Sequence, residues 1–241
     1  MDKYAALITL CLQLPFSPMT EFGGRVSTHS PIHPSTHSSL SLVTIVALGD
    51  STTAGTPGFR SPIEAPPNGA GDVKSQYAYW LMQAHPDWQV LNRGVNGERS
   101  DEIAARFDRD VLTAHPRIVI VIAGVNDVYQ GEPASAVEAR LKSIYDRALA
   151  GGIAVVAGSI IPFNTAAPDQ NARMHAINDW ISAKASTDPR MTFVDTRKAV
   201  SAPNAPDRLA GSPDGLHPDV DGYRKMALAL EPALRQLIER K

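Results

Sequence analysis

Four short segments carry residue types that together can perform acyl transfer: Gly49-Asp50-Ser51-Thr52, Asn92-Arg93-Gly94, Gly124-Val125-Asn126-Asp127 and Asp214-Gly215-Leu216-His217. A serine hydroxyl is a weak nucleophile and needs an adjacent base. His217 is the candidate base, because imidazole titrates near neutrality. Asp214 precedes it by three residues, which lets the carboxylate sit beside the ring, fix its tautomer and stabilise the imidazolium. Gly94 offers a backbone N–H that no side chain obstructs, and Asn126 offers a side-chain amide. With the N–H of Ser51 they would form a three-donor oxyanion hole, where one donor contributes about 3 kcal/mol to the transition state.

Each segment alone has a plainer explanation. Gly-Asp-Ser is a common turn tripeptide. Gly94 suits a tight turn, Asn126-Asp127 a helix cap, and Asp214-Gly215 an Asx turn before a helix entry at His217-Pro218. The chemical reading rests on the four segments together and on the elements that would carry them.

Those elements alternate. Thr44–Leu48, Gln89–Asn92, Arg117–Ala123, Ile153–Ile161 and Met191–Asp195 read as strands. The Val/Ile run within 117–123 is typical of a strand buried on both faces. Gln76–His85, Ser100–Ala114, Pro133–Ala150, Pro168–Ser186 and Asp219–Lys241 read as helices. Ser100 is placed to cap the second of these; Pro133 and Gly151-Gly152 bracket the third. Alternation of this kind predicts an α/β fold with a parallel sheet covered on both sides, and right-handed crossovers leave few topologies. The first three chemical segments fall at or just past the carboxyl ends of strands, where open parallel sheets build their sites. If the strand order is 2-1-3-4-5, Ser51 and Asn126 face each other across the switch point.

Two long irregular stretches, 53–75 and 200–217, suit functional loops. The first leaves the nucleophile directly, and with Pro57, Phe59, Pro62, Pro66 and Pro67 it is expected to wall the substrate pocket. Ile161-Pro162-Phe163 is a second candidate wall. Ordinary loop packing is the alternative for both.

Composition excludes several classes. The 241 residues suit one α/β domain or a domain with an extra tail, and 43% hydrophobic content is ample for a core. A net charge of −2 without a Lys/Arg-rich run gives no electrostatic footprint for nucleic acid. Cys11 is the sole cysteine, so no disulfide or thiolate metal cluster is available. The HExxH, GxxxxGK[ST] and GxGxxG patterns are absent. No apolar run reaches the roughly 18–20 residues of a membrane span.

Residues 1–41 read as a separate N-terminal extension and 42–241 as the catalytic domain. The apolar stretch Tyr4–Leu14 after Lys3 suits a signal peptide, which would send the protein out of the cytoplasm. No A-x-A site follows and Asp2 weakens the charged start, so a disordered extension or an over-long start is the other reading. His29, His33 and His37 read as tail composition, since they lack partners and a scaffold.

Taken together, the four segments resemble the SGNH (GDSL) hydrolase superfamily, named for a Ser, a Gly, an Asn and a His in four separated blocks. The matching positions are Ser51 in Gly-Asp-Ser-Thr, Gly94 in Asn-Arg-Gly-Val-Asn-Gly, Asn126 in Gly-Val-Asn-Asp and His217 in Asp-Gly-Leu-His-Pro, with Asp214 at the triad acid. The resemblance runs from about Thr44 to the C-terminus. Thr52 stands where the family name has Leu, a position with no catalytic part there. The resemblance implies a flavodoxin-like three-layer αβα sandwich and hydrolysis of carboxylic esters or thioesters through an acyl-serine, with no metal or cofactor. The expected substrate is a small-molecule ester, with short acyl chains favoured because no apolar lid helix is evident. A carbohydrate O-acetylesterase and a thioesterase or lysophospholipase use the same triad and stand as alternatives. A binding module on the same fold need not keep Ser51, Asp214 and His217 together. A nucleotide-binding flavodoxin-like protein leaves the Asp-x-x-His segment without a role.

Overall fold

The computed structural model describes residues 42–240, so the reading of the N-terminal extension lies outside the described residues. Five strands form one parallel sheet: β1 (Val43–Gly49), β2 (Trp88–Gly94), β3 (Ile118–Ile122), β4 (Ala154–Gly158) and β5 (Met191–Val194). Their spatial order is β2-β1-β3-β4-β5, as the alternation allowed.

Strand residues alternate between two apolar layers, because successive side chains point to opposite faces. Val46, Leu48, Val119, Val121, Val155 and Ala157 face one core, with α3 (Ser100–Ala105), α4 (Phe107–Asp110), α6 (Ala134–Ala150) and α7 (Pro168–Ala185) over it. Ile45, Ala47, Ile118, Ile120, Ile122 and Val156 face the other core, beneath α2 (Tyr77–Ala84) and α9 (Val220–Glu239). Three short helices sit past strand ends: α1 (Ser51–Ala54), α5 (Val125–Tyr129) and α8 (Thr196–Val200). This is the three-layer αβα sandwich. Each buried Leu or Ile contributes about 1.5–3 kcal/mol relative to exposure, so the two layers hold the sheet that positions the site.

Register brings the site together. Gly49, the last residue of β1, pairs with Gly94 of β2 on one side and Ile122 of β3 on the other. The segments following these three residues therefore start side by side at one edge of the sheet.

Three local expectations change. The single helix expected over 100–114 is broken at Arg106, where φ −95° and ψ 5° leave the helical path, and it continues as α4 and a 3-10 turn at Leu112–Ala114. Ser100 does not cap it. Arg99 holds the N-cap position, and the Ser100 N–H and Oγ–H both donate to the Asp127 carboxylate, at 2.8 and 2.6 Å. The fourth strand stops at Gly158 rather than Ile161, because Asn178 takes both backbone groups of Ile160, accepting from its N–H at 2.7 Å and donating to its carbonyl at 3.0 Å.

Candidate active site

The turn out of β1 begins with a close approach. A Cβ on Gly49 would lie 2.3 Å from the Ile122 carbonyl oxygen and from Thr53 Oγ1, so only glycine fits. Asp50 follows in extended conformation and caps α1, its Oδ1 accepting from the Thr52 N–H at 2.9 Å. Its other oxygen finds no partner among the described residues. Burial pushes the Asp50 carboxyl up to about 7. The nearby Asp127 adds to the rise, while the Thr52 hydrogen bonds and Arg106 oppose it. Ser51 is the first residue of α1.

His217 reaches Ser51 from the far end of the chain. Its Nε2 lies 2.8 Å from Ser51 Oγ, and its Nδ1 lies 2.7 Å from Asp214 Oδ2. Asp214 Oδ1 also accepts from the N–H groups of Leu216 and His217, at 2.9 Å each. Burial raises the Asp214 carboxyl, but the hydrogen bonds from the His217 ring and from the two N–H groups outweigh it and hold it below the usual carboxylate range. Asp214 is therefore ionised at neutral pH and acts only as an acceptor. That assigns the proton to Nδ1 and leaves Nε2 to accept from the Ser51 hydroxyl.

The loop carrying Asp214 and His217 is braced from within and from outside. Ser212 Oγ accepts from the Gly215 N–H at 2.8 Å and donates to the His217 carbonyl at 2.6 Å. Gly215 adopts φ +77°, a left-handed turn that brings Asp214 back to the ring. The Asn164 N–H donates to the Gly215 carbonyl of the same loop.

A cavity of about 330 Å³ opens over Ser51, with His217 and Asn126 on its wall. Asn126 donates one amide hydrogen to the Glu98 carbonyl at 2.9 Å, which orients the group and leaves its second hydrogen free. The N–H groups of Ser51 and Gly97 have no acceptor among the described residues. Gly97 lines the cavity at φ +76°, with nothing within 4 Å of where its Cβ would lie.

Gly94 differs from the sequence expectation. Its N–H donates to Asn92 Oδ1 at 2.9 Å, and a Cβ there would sit 2.1 Å from the Ala54 nitrogen. It packs the end of β2 against α1 and is not part of the cavity wall. The segment Gly94-Val-Asn-Gly97 holds two glycines, and the one that lines the cavity is the second. Its signal lies in the sequence: a glycine three residues past the end of β2, next to a polar residue, suits a positive φ as well as Gly94 suits a turn.

The 53–75 loop does not wall the cavity either. It folds back as a small ribbon, Phe59–Arg60 with Ala70–Gly71, and buttresses the Gly94–Gly97 segment from behind. Ser61 Oγ donates to the Gly94 carbonyl at 2.6 Å, Glu64 accepts from the Asn96 N–H at 3.0 Å, and the Thr56 hydroxyl bonds the Asn96 side chain. Phe163 does line the cavity, as expected, and Tyr129 meets it edge to face at a centroid distance of 5.8 Å. Tyr129 and Leu216 are 61% and 40% exposed, so the apolar wall is open to solvent.

A larger cavity, about 580 Å³, lies beside α7 and α8 and contains none of these residues. Its buried Arg197 donates from Nη2 to Asp207 and Asn171. Among the described residues no group of three His, Cys, Asp or Glu is placed to hold a metal ion, and no helix is long and apolar enough to cross a membrane.

A family model described as GDSL-like Lipase/Acylhydrolase matches residues 47–225. No curated protein sequence matches. Among solved structures, a protein of the lipolytic G-D-S-L family from Desulfitobacterium hafniense DCB-2 superposes with TM-score 0.65 at 21% identity, over 79% of this chain and 98% of that one. A member of the same family from Veillonella parvula DSM 2008 gives 0.64 at 17% identity, over 80% and 99%. An acetylxylan esterase from Geobacillus stearothermophilus gives 0.61 at 22% identity, over 81% and 94%. At these identities the structural likeness speaks for the fold.

Proposed function

The chain belongs to the GDSL-like lipase/acylhydrolase family, and from that premise we propose that it is a serine esterase that hydrolyses short-chain carboxylic esters through an acyl-Ser51 intermediate. The observation carrying this reading is the unbroken relay from Asp214 Oδ2 through His217 to Ser51 Oγ, at 2.7 and 2.8 Å.

The chemistry follows from the protonation states. His217 Nε2 takes the Ser51 proton as Oγ bonds to the ester carbonyl carbon, and Asp214 stabilises the imidazolium. The oxyanion is held by the N–H groups of Ser51 and Gly97 and by the free amide hydrogen of Asn126. Gly97 takes the part that the sequence suggested for Gly94. As the tetrahedral adduct collapses, the C–O bond breaks and the alcohol leaves with the proton from His217. Water, deprotonated by His217, then attacks the acyl-enzyme and releases the acid and the Ser51 hydroxyl.

The size and lining of the cavity support a small substrate. About 330 Å³ lies at the low end of ligand-site volumes. Val125, Tyr129, Phe163 and Leu216 offer apolar contact in a lining that also holds Asn96 and Gly97. A chain-length series of p-nitrophenyl esters tests this. Maximal kcat/KM is expected from acetate to butyrate, and a maximum at decanoate or longer would contradict it. Acetylated sugars and acyl thioesters in the same panel separate the O-acetylesterase and thioesterase alternatives.

A further inference from the structure

One buried cation bonds the chain beside two of the proposed oxyanion donors, Ser51 and Gly97, and reaches the third, Asn126, through Glu98. Arg106 is 7% exposed and sits at the break between α3 and α4. Its Nη2 donates to the Gly49 carbonyl at 2.8 Å, two residues before Ser51. Its Nη1 donates to the Arg93 carbonyl at 2.8 Å, at the end of β2 and upstream of Gly97. Its Nε donates to Glu98 Oε2 at 2.6 Å, and the Glu98 carbonyl is the group that orients the Asn126 amide. Asp110, itself buried, accepts from Nη1 at 2.7 Å and anchors the guanidinium from below.

We infer that Arg106 is a positioning residue that sets the oxyanion geometry, holding the Ser51, Gly97 and Asn126 donors at fixed distances from one another through the ends of β1 and β2 and through Glu98. The inference rests on the esterase reading above. The guanidinium is suited to this because its donors form a rigid planar fork, whereas a lysine ammonium is a compact charge on a flexible stem and cannot span three fixed acceptors. The arrangement also accounts for the broken helix. Arg106 leaves the helical path, where its side chain reaches under two strand ends, and Asp110 accepts from it one turn later.

The test compares wild type, Arg106→Lys, Glu98→Gln and Arg109→Met, with Ser51→Ala as the blank. Arg109 bonds the same Asp110 from the solvent side and reaches neither strand end. Each protein is checked by thermal melting, then assayed on p-nitrophenyl butyrate for kcat, KM and the pH profile. A misplacement of about 1 Å costs on the order of 100-fold, so Arg106→Lys is expected to lower kcat by about 10- to 100-fold. KM and the shape of the pH profile should hold, because His217 and Asp214 are untouched. Arg109→Met should retain wild-type kcat. A folded Arg106→Lys enzyme with wild-type kcat overturns the inference, as does an equal kcat loss in Arg109→Met. Should Arg106→Lys fail to fold, Glu98→Gln carries the test, with a smaller kcat loss expected and wild-type kcat contradicting. If instead Ser51→Ala matches wild type, the esterase reading itself fails.

Discussion

Asn164 clasps the loop that carries Asp214 and His217 at two points: its backbone N–H donates to the Gly215 carbonyl at 2.7 Å, and its Oδ1 accepts from the Leu209 N–H at 2.8 Å. The residue follows β4 and the cavity-lining Phe163, so the cavity wall and the loop carrying Asp214 and His217 share one anchor. Removing the side chain in Asn164→Ala leaves the Leu209 N–H of a buried residue without its acceptor, at a cost of about 1–3 kcal/mol. A corresponding fall in unfolding free energy is expected. A drop in kcat of about tenfold should accompany it, as His217 loses its fixed distance to Ser51. Chemical denaturation and steady-state kinetics on the same preparation check both.

The two glycines of the 94–97 segment should behave oppositely. Gly94→Ala drives a methyl group into the Ala54 backbone and is expected to abolish soluble, folded protein. Gly97→Ala meets no atom within 4 Å but strains a positive φ, which costs about 1–2 kcal/mol. It should fold with a modest loss of stability and lose activity as its N–H shifts. Circular dichroism and an ester assay distinguish the two.

Asp214→Asn keeps an acceptor for the Leu216 and His217 N–H groups, so the loop should keep its shape. The amide cannot enforce the Nδ1–H tautomer, and kcat is expected to fall about 10⁴-fold with melting temperature near wild type. Asn126→Ala should cost about 10²- to 10³-fold in kcat with little change in KM, since the donor acts on the transition state.

Asp50 makes stability depend on pH in a defined direction. Its folded-state carboxyl is raised from the ordinary 3.8 to about 7. Between those values the folded state holds a proton that the unfolded state has lost, so stability falls as pH rises from about 4 to about 7. Asp50→Asn keeps a helix cap and removes this slope. The difference in unfolding free energy between the two proteins, measured from pH 4 to 7, should move steadily in favour of the Asn variant.

Much of this site was legible because its parts lie where local signals are strong. The β-branched runs ending at Gly49 and Ile122 mark strands buried on both faces, and Ser51 and Asn126 lie just past their ends. Asp214 and His217 are close in sequence, so their contact could be read from spacing. The features that escaped are held by distant partners. Nothing local says that Arg106 will leave its helix to bond Gly49, 57 residues away, or that Asn178 will end β4 by taking the backbone of Ile160. The choice between Gly94 and Gly97 depends on Ala54 lying against the first, a tertiary contact. The 53–75 loop leaves the nucleophile as expected, yet its hydrogen bonds to Gly94 and Asn96 turn it into a buttress.

The central claim is that Ser51 is a nucleophile activated by His217. A fluorophosphonate probe on wild type, Ser51→Ala and His217→Ala, read by intact mass and peptide mapping, tests it most directly. The account predicts one phosphonyl adduct on the peptide containing Ser51, none in Ser51→Ala, and labelling slowed by orders of magnitude in His217→Ala. An adduct on another residue, or undiminished labelling in Ser51→Ala, would contradict it.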